Sequence, residues 1–147
     1  MKSKDFQALL LRAAVVAMAA DGEVAEAEKQ ELARVANSTA YFLGFDHTAL
    51  LPELLADREN TAAGAVARLA DAVAAAQLND RQESALLDVL LRVIEADGVV
   101  LSAERELLRA LRPVLRISDM LLLGYHPQLL GYLMSDNEGH VLRPIPD

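Results

Sequence analysis

The sequence predicts an all-α protein, folded as a single-domain bundle of about seven helices built on two related helix–turn–helix hairpins. Three observations lead to this prediction. Apolar residues recur at helical spacing along most of the chain, no segment alternates in the way of a half-buried strand, and one helix–turn–helix pattern occurs twice. At 147 residues, one domain buries about 68–70% of its unfolded surface on folding.

The first four helices are predicted from apolar spacing and from the polar residues that separate them. Phe6, Leu9 and Leu10 begin an apolar stripe in the first helix that continues to Ala20. The second helix has apolar residues on one face and ends at the polar run Asn37-Ser38-Thr39. The third helix is short, and the fourth is rich in alanine. Their expected ranges are residues 4–20, 26–38, 45–60 and 61–78.

The next two helices are predicted from one apolar run and one proline. The fifth helix, over residues 80–97, is apolar around much of its circumference, so we expect it to be central and largely buried. Asn79 or Asp80 is its expected N-cap. Ser102 is a suitable N-cap for the sixth helix, which Pro113 ends or bends.

The charge balance and the absence of cysteine exclude several classes of function. A net charge of -8 argues against nucleic-acid binding, which needs a basic surface, and suits cations or basic partners. Without cysteine there is no disulfide, thiolate zinc site or cysteine nucleophile. No apolar run reaches the ~20 residues that span a bilayer, and Asp5 and Arg12 interrupt a superficial likeness to a signal peptide. We expect a cytoplasmic protein.

One motif, A-D-G-x-V-x-x-x-E, occurs at residues 20–28 and again at residues 96–104; we call these stretches the first and second acidic turns. Each copy falls between two predicted helices, and the flanking helices match at the same offset, so two related hairpins are the simplest interpretation. The matched pairs are Leu11 and Leu87, Ala20 and Ala96, Asp21 and Asp97, Gly22 and Gly98, Val24 and Val100, Glu28 and Glu104, and Leu32 and Leu108.

Helix-end chemistry explains most of each acidic turn. Gly22 and Gly98 stand where a helix ends in the left-handed conformation, which costs other residues about 1–2 kcal/mol. Glu28 and Glu104 fall in the first turn of the next helix, where the helix dipole favours an anion. The aspartate before each glycine fits less well, because the dipole disfavours an anion at a helix C-terminus. We expect these aspartates to bind either backbone N–H groups of the next helix or a cation.

A cation site shared by the two acidic turns is the functional alternative, although the spacing does not fit an ordinary EF-hand. The glycine, the apolar residue and the last glutamate fall at EF-hand positions, but usual carboxylates of the first half of the loop are missing in both copies. Hard carboxylate ligands favour Ca²⁺ or Mg²⁺, and no other cofactor is expected. The candidate metal ligands are Asp21, Glu23, Glu28, Asp97 and Glu104.

The doubled motif and its flanking helices resemble the TerB-like domain of tellurite resistance proteins, and they are similar to the N-terminal domain of the DjlA co-chaperones. The resemblance covers residues 5–117 and implies an all-helical, bacterial, stress-associated module without a catalytic role. By matching positions it implies divalent-cation binding through Asp21, Glu28, Asp97 and Glu104. One departure is that Glu31 in the first copy matches Leu107 in the second, so such a site would be asymmetric.

The chain divides accordingly into a core and a C-terminal segment. Residues 1–117 form the TerB-like helical core, with repeats near residues 9–36 and 85–112, and residues 118–147 add a helical piece within 118–134 and an irregular tail.

The uncharged stretch of residues 120–134 has two interpretations. It packs against the bundle, which is the interpretation we favour, or it is an exposed docking surface for a protein partner or a second copy of the chain. The candidate docking residues are Tyr125, Tyr132 and Met134.

The remaining polar residues indicate no catalytic motif. The three histidines are expected to be ordinary surface or turn residues, and Asp80, Glu83 and Asp88 are expected to form a solvated helix face and caps. The sequence therefore predicts a non-enzymatic interaction module that a divalent cation tunes, or a purely structural adaptor. A carboxylate-based hydrolase with Asp21 and Glu104 as acid and base would require a concave pocket around them.

Overall fold

The structure, a computed structural model, describes residues 3–20, 26–38, 40–42, 47–61, 64–96, 98–134 and 140–141. In these ranges the helices are α1 (Ser3–Ala19), α2 (Glu26–Ser38), α3 (His47–Ala56), α4 (Arg58–Thr61), α5 (Ala65–Ala76), α6 (Asp80–Ile94), α7 (Ser102–Leu111), α8 (Asp119–Tyr125) and α9 (Gln128–Met134). There are also 3₁₀ turns at Ala40–Phe42 and Arg112–Val114, and two short strands, β1 (Val99–Val100) and β2 (His140–Val141).

The all-α prediction is confirmed, and two predicted helices are each divided in two. Asp57 separates α3 from α4, and its N–H donates to the carbonyl of Glu53 at 3.1 Å. His126 separates α8 from α9, with a non-helical backbone at φ -139° and ψ 63°. The following residue is Pro127, whose ring disfavours the helical conformation of the residue before it.

The central helix is α6, as the sequence predicts. Nine of its fifteen residues are buried, and α1 and α2 both pack against it. The helix begins in a capping box, in which the Asn79 side chain accepts from the Gln82 N–H at 2.8 Å and the Gln82 side chain accepts from the Asn79 N–H at 3.0 Å. The structure thereby selects Asn79 over Asp80 as the N-cap. Helix α5 packs between α1 and α7, and α7 packs against α9.

The acidic residues of α6 only partly form the solvated face that the sequence predicts: Asp80 is exposed and Asp88 is half-buried, but Glu83 is buried. Glu83 is 2% exposed, and its carboxylate accepts from the backbone N–H groups of Arg116 at 2.9 Å and Ile117 at 2.7 Å. Asp88 accepts from the hydroxyl of Tyr41 at 2.7 Å. The expectation is therefore wrong for Glu83, because backbone donors from a distant segment compensate its burial.

The C-terminal tail is not wholly irregular. Strands β1 and β2 pair antiparallel, with Val99 opposite Val141 and Val100 opposite His140. The second acidic turn is thus tied directly to the tail. None of the helices in the described ranges combines the length and apolar character needed to cross a bilayer.

Candidate functional site

The second acidic turn has the backbone that its sequence predicts. Helix α6 ends with the N–H of Glu95 bonded to the carbonyl of Leu91 at 2.9 Å, and the N–H of Gly98 donates to the carbonyl of Glu95 at 3.1 Å. Gly98 has φ +82°, which lies in the left-handed region that favours glycine. Val100 then points into the core and is fully buried.

Glu104 closes this turn from the other side. It is the third residue of α7 and is 5% exposed, and its Oε1 accepts from the N–H of Leu101 at 2.9 Å. The expected N-cap, Ser102, is the first residue of the helix, and Leu101 takes the N-cap position instead. The cap prediction is wrong because the Glu104 carboxylate, rather than a cap hydroxyl, reaches back across the first turn of the helix.

Glu28 occupies the matching place in the first copy. It is the third residue of α2 and is 4% exposed, whereas Glu26, two residues earlier, is exposed. A glutamate that served only the helix dipole would keep its carboxylate in water. The two repeats therefore bury the same carboxylate at the same position, although acidic residues are almost never fully buried unless they are paired.

The proposed ligand set is only partly within the described residues. Asp21, Glu23 and Asp97 lie outside them, and among the residues that are described no group of three or more acidic or histidine side chains could hold a metal ion. Glu31, the extra acidic residue of the first copy, pairs with Arg34, whose Nη2 lies 2.6 Å from its Oε2. The convergence of the five candidate ligands accordingly stays a prediction.

A buried arginine beside the second acidic turn was not anticipated. Arg105 is 1% exposed, and its Nη1 donates to the carbonyl of Val100 at 3.4 Å. One sequence signal could have found it, since Arg105 lies on the same helix face as Leu101 and Leu108, at spacings of four and three residues.

The predicted docking residues do not share one environment. Tyr125 is 66% exposed, Tyr132 is 5% exposed, and the side chain of Met134 is outside the described part of the chain. The Tyr132 hydroxyl donates to the carboxylate of Glu95, and burial together with this carboxylate raises the pKa of Tyr132. Tyr132 therefore anchors α9 on the core, which is the packing interpretation, whereas Tyr125 is on the surface.

Exposed apolar side chains are concentrated on α8. Met120 is 83% exposed, Leu121 37%, Leu123 55% and Tyr125 66%, while Leu122 faces the core and is fully buried. Leu121 and Tyr125 also line a cavity of about 640 Å³ that lies between α1, α6 and α8. Glu104 does not line this cavity.

His126 lies in the turn between α8 and α9, one of the two predicted settings, but it is not on the surface. It is 6% exposed, and its Nε2 lies 3.1 Å from the hydroxyl of Ser84 on α6. Burial lowers the pKa of His126, while the nearby Asp88 carboxylate partly opposes this shift. Leu122 in α8 and Leu129 in α9 are buried as well, so His126 lies between two residues of the core.

Comparison with known proteins identifies one family. The profile of tellurite resistance protein TerB matches residues 7–122, which includes both acidic turns and most of α8. No curated protein and no solved structure matches the chain significantly.

Proposed function

The chain belongs to the TerB family, and from this premise we propose that it is a non-enzymatic, cytoplasmic interaction module, associated with stress or tellurite resistance, that binds a divalent cation through its two acidic turns. The observation that carries this proposal is the burial of Glu28 and Glu104 at matching positions of the repeat. Two separate hairpins place the same carboxylate out of water, beside turns that contain further acidic residues.

The charge of the two acidic turns supports a cation as their ligand. Glu104 accepts from the N–H of Leu101 through one oxygen, and an ionised carboxylate has further acceptor sites that can bind a cation. Asp21, Glu23 and Asp97 add three carboxylates within the same turns, and the net charge of the chain is -8. Carboxylate oxygens are the ligands of Ca²⁺ and Mg²⁺, and Ca²⁺ tolerates the irregular geometry that two unequal turns would offer.

Calorimetric titration with Ca²⁺ and with Mg²⁺ tests the proposal. Wild-type protein should bind at least one of the two ions, and the double variant Asp21→Asn plus Asp97→Asn should weaken that binding at least tenfold. The matched control is Asp5→Asn plus Asp71→Asn, which removes the same charge from two exposed positions. If both ions give no heat with the wild-type protein, cation binding is refuted.

A second candidate function is that of a structural adaptor that docks a protein through α8. The exposed apolar side chains of Met120, Leu123 and Tyr125 favour it, since soluble proteins seldom expose such residues together without a binding role. Deleting residues 118–147 would be a poor test, because Leu122, Leu129 and Tyr132 belong to the core.

A sharper test of docking keeps the fold intact. It asks whether α8 binds a second copy of the chain. Molar mass by light scattering should rise with concentration for wild-type protein and stay monomeric for Met120→Glu plus Leu123→Glu. If the wild-type protein is monomeric at every concentration, self-association through α8 is refuted.

A further inference from the structure

The cavity between α1, α6 and α8 is rich in aromatic side chains. Its volume of about 640 Å³ falls within the roughly 300–1,000 Å³ that is usual for small-molecule sites. The chain has only three phenylalanines and three tyrosines, and Phe6, Tyr41 and Tyr125 all line this cavity. Among the described residues no ring contact joins any two of these side chains, so they are not a packed aromatic cluster of their own. The walls therefore suit a planar aromatic ligand.

Hydrogen bonds within the protein already engage uncharged polar side chains of the walls. The Gln7 amide donates to the carbonyl of Tyr41 at 3.1 Å, and the Tyr41 hydroxyl donates to Asp88 at 2.7 Å. The Ser84 hydroxyl lies 3.1 Å from Nε2 of His126. An aromatic ligand can cover these side chains while their hydrogen bonds persist, which lowers the cost of burying polar surface.

The two charged residues that line the cavity, Asp80 and Arg81, differ from the other polar residues of the walls. In the part of the chain that the structure describes, neither has an ion-pair or hydrogen-bond partner for its side chain. Both lie in the first turn of α6, where the helix dipole favours an anion and disfavours a cation. The dipole thus accounts for Asp80 but not for Arg81. A guanidinium binds a carboxylate through two parallel hydrogen bonds, so a bound carboxylate would supply the missing partner of Arg81.

We propose that this cavity binds an aromatic carboxylate, with its ring system against Phe6, Tyr41 and Tyr125 and its carboxylate on Arg81. The site is separate from the candidate cation site, since none of the described residues of either acidic turn lines the cavity. The inference therefore does not depend on cation binding, and it is tested in EDTA.

The same ligand accounts for part of the exposed apolar surface of α8. Leu121 and Tyr125 are 37% and 66% exposed, and both line the cavity, so a bound aromatic ring would shield them from water. Met120 and Leu123 are also exposed but do not line the cavity. The ligand thus covers one side of α8 and leaves the other side open.

Three compounds with one ring system and different charges test the proposal by calorimetric titration. They are 2-naphthoate, the neutral 2-naphthalenemethanol and the cationic 2-naphthylmethylammonium. The carboxylate should bind wild-type protein about tenfold more tightly than the alcohol, the effect of a hydrogen bond to a charged group, and the ammonium should bind least tightly. If none of the three binds at millimolar concentration, the site is refuted. Tighter binding of the ammonium than of the carboxylate would overturn the assigned ligand class.

Substitutions at the two charged residues test the contact with the carboxylate. Arg81→Gln should weaken 2-naphthoate binding about tenfold and leave the neutral alcohol unchanged. Asp80→Asn, the matched control in the same helix turn, removes a like charge and should bind 2-naphthoate at least as tightly as wild-type protein. Equal losses in the two variants, or none in Arg81→Gln, would overturn the role of the guanidinium.

Substitutions on α8 test the contact with the ring. Tyr125→Ala should weaken all three compounds by a similar factor, whereas Met120→Ala, at an exposed position outside the cavity, should change none of them. Equal binding to both variants would overturn the placement of the ring. If Tyr125→Ala does not fold, backbone amide shifts of wild-type protein decide instead. Addition of 2-naphthoate should move the signals of Ser84 and Ala85 in α6, and shifts confined to α2 would overturn the site.

Discussion

The hydroxyl of Tyr132 donates a hydrogen bond to the carboxylate of Glu95 and thereby joins α9 to the residue that directly follows α6. Glu95 stands two residues before Asp97 and immediately before the second acidic turn. The C-terminal helices are therefore joined to the residue that precedes the second acidic turn, and the pairing of β1 with β2 joins the tail to the middle of the same turn.

Replacing Tyr132 by phenylalanine tests the first of these links. The change removes the donor and keeps the ring, so it should lower the free energy of unfolding by about 1.5–3 kcal/mol, the range for a hydrogen bond to a charged group. Urea denaturation measures the loss. Tyr125→Phe is the control, because that exposed side chain should change stability by less than about 0.5 kcal/mol. Equal effects of the two changes would show that the hydroxyl contributes nothing.

The backbone of the second acidic turn requires glycine at position 98. A Cβ on Gly98 would meet nothing within 4 Å, so Gly98→Ala should lose stability through the left-handed backbone alone, by about 1–2 kcal/mol. Gly124 lies in α8 and is also open to solvent. There alanine should instead stabilise by about 0.5–1 kcal/mol, since it favours the helix. Thermal unfolding that shows the same sign for both variants would contradict the turn geometry.

Glu104 has two roles that a pair of substitutions can separate. Glu104→Ala removes the acceptor for the Leu101 N–H and should cost about 1–2 kcal/mol of stability, as the loss of a helix cap does. Glu104→Gln keeps an acceptor oxygen and should recover most of that loss, yet it should still weaken Ca²⁺ or Mg²⁺ binding. Denaturation and calorimetry on the same two variants measure both effects. Full metal affinity in Glu104→Gln would exclude this carboxylate from the cation site.

The protein should also become less stable as the pH falls, because His126 is buried. Burial holds the pKa of His126 below its ordinary value of 6.5, so the unfolded chain binds the proton more readily than the folded protein. The stabilising contribution is complete above pH 6.5 and is lost as the pH falls from there towards the folded-state pKa. Denaturation midpoints from pH 8 to pH 5 should therefore decline more steeply for wild-type protein than for His126→Asn. Parallel curves would contradict the shift.

Local sequence patterns predicted the helices well because helical periodicity is a property of neighbouring residues. The central position of α6, its Asn79 cap and the left-handed Gly98 all follow from residues within one or two turns. Even the breaks at Asp57 and His126 shift no helix from its predicted segment.

The features that sequence reasoning missed depend on contacts between distant segments. The pairing of β1 with β2 joins residues about forty positions apart. Glu83 is buried because backbone N–H groups of Arg116 and Ile117 reach its carboxylate, which no pattern within α6 could indicate. The same holds for Tyr132 beside the candidate site. Its hydroxyl donates to Glu95, a contact between distant segments that the sequence does not indicate.

The central claim, that the acidic turns hold a divalent cation, is tested most directly by thermal unfolding in EDTA, Ca²⁺ and Mg²⁺ at equal ionic strength. A cation that binds only the folded protein stabilises it by about 2.7 kcal/mol at 100 times its dissociation constant. We expect the melting temperature to rise in at least one of the two ions, and this rise to vanish in the variant Asp21→Asn plus Asp97→Asn. Identical melting temperatures of wild-type protein in EDTA and in both ions would contradict the claim.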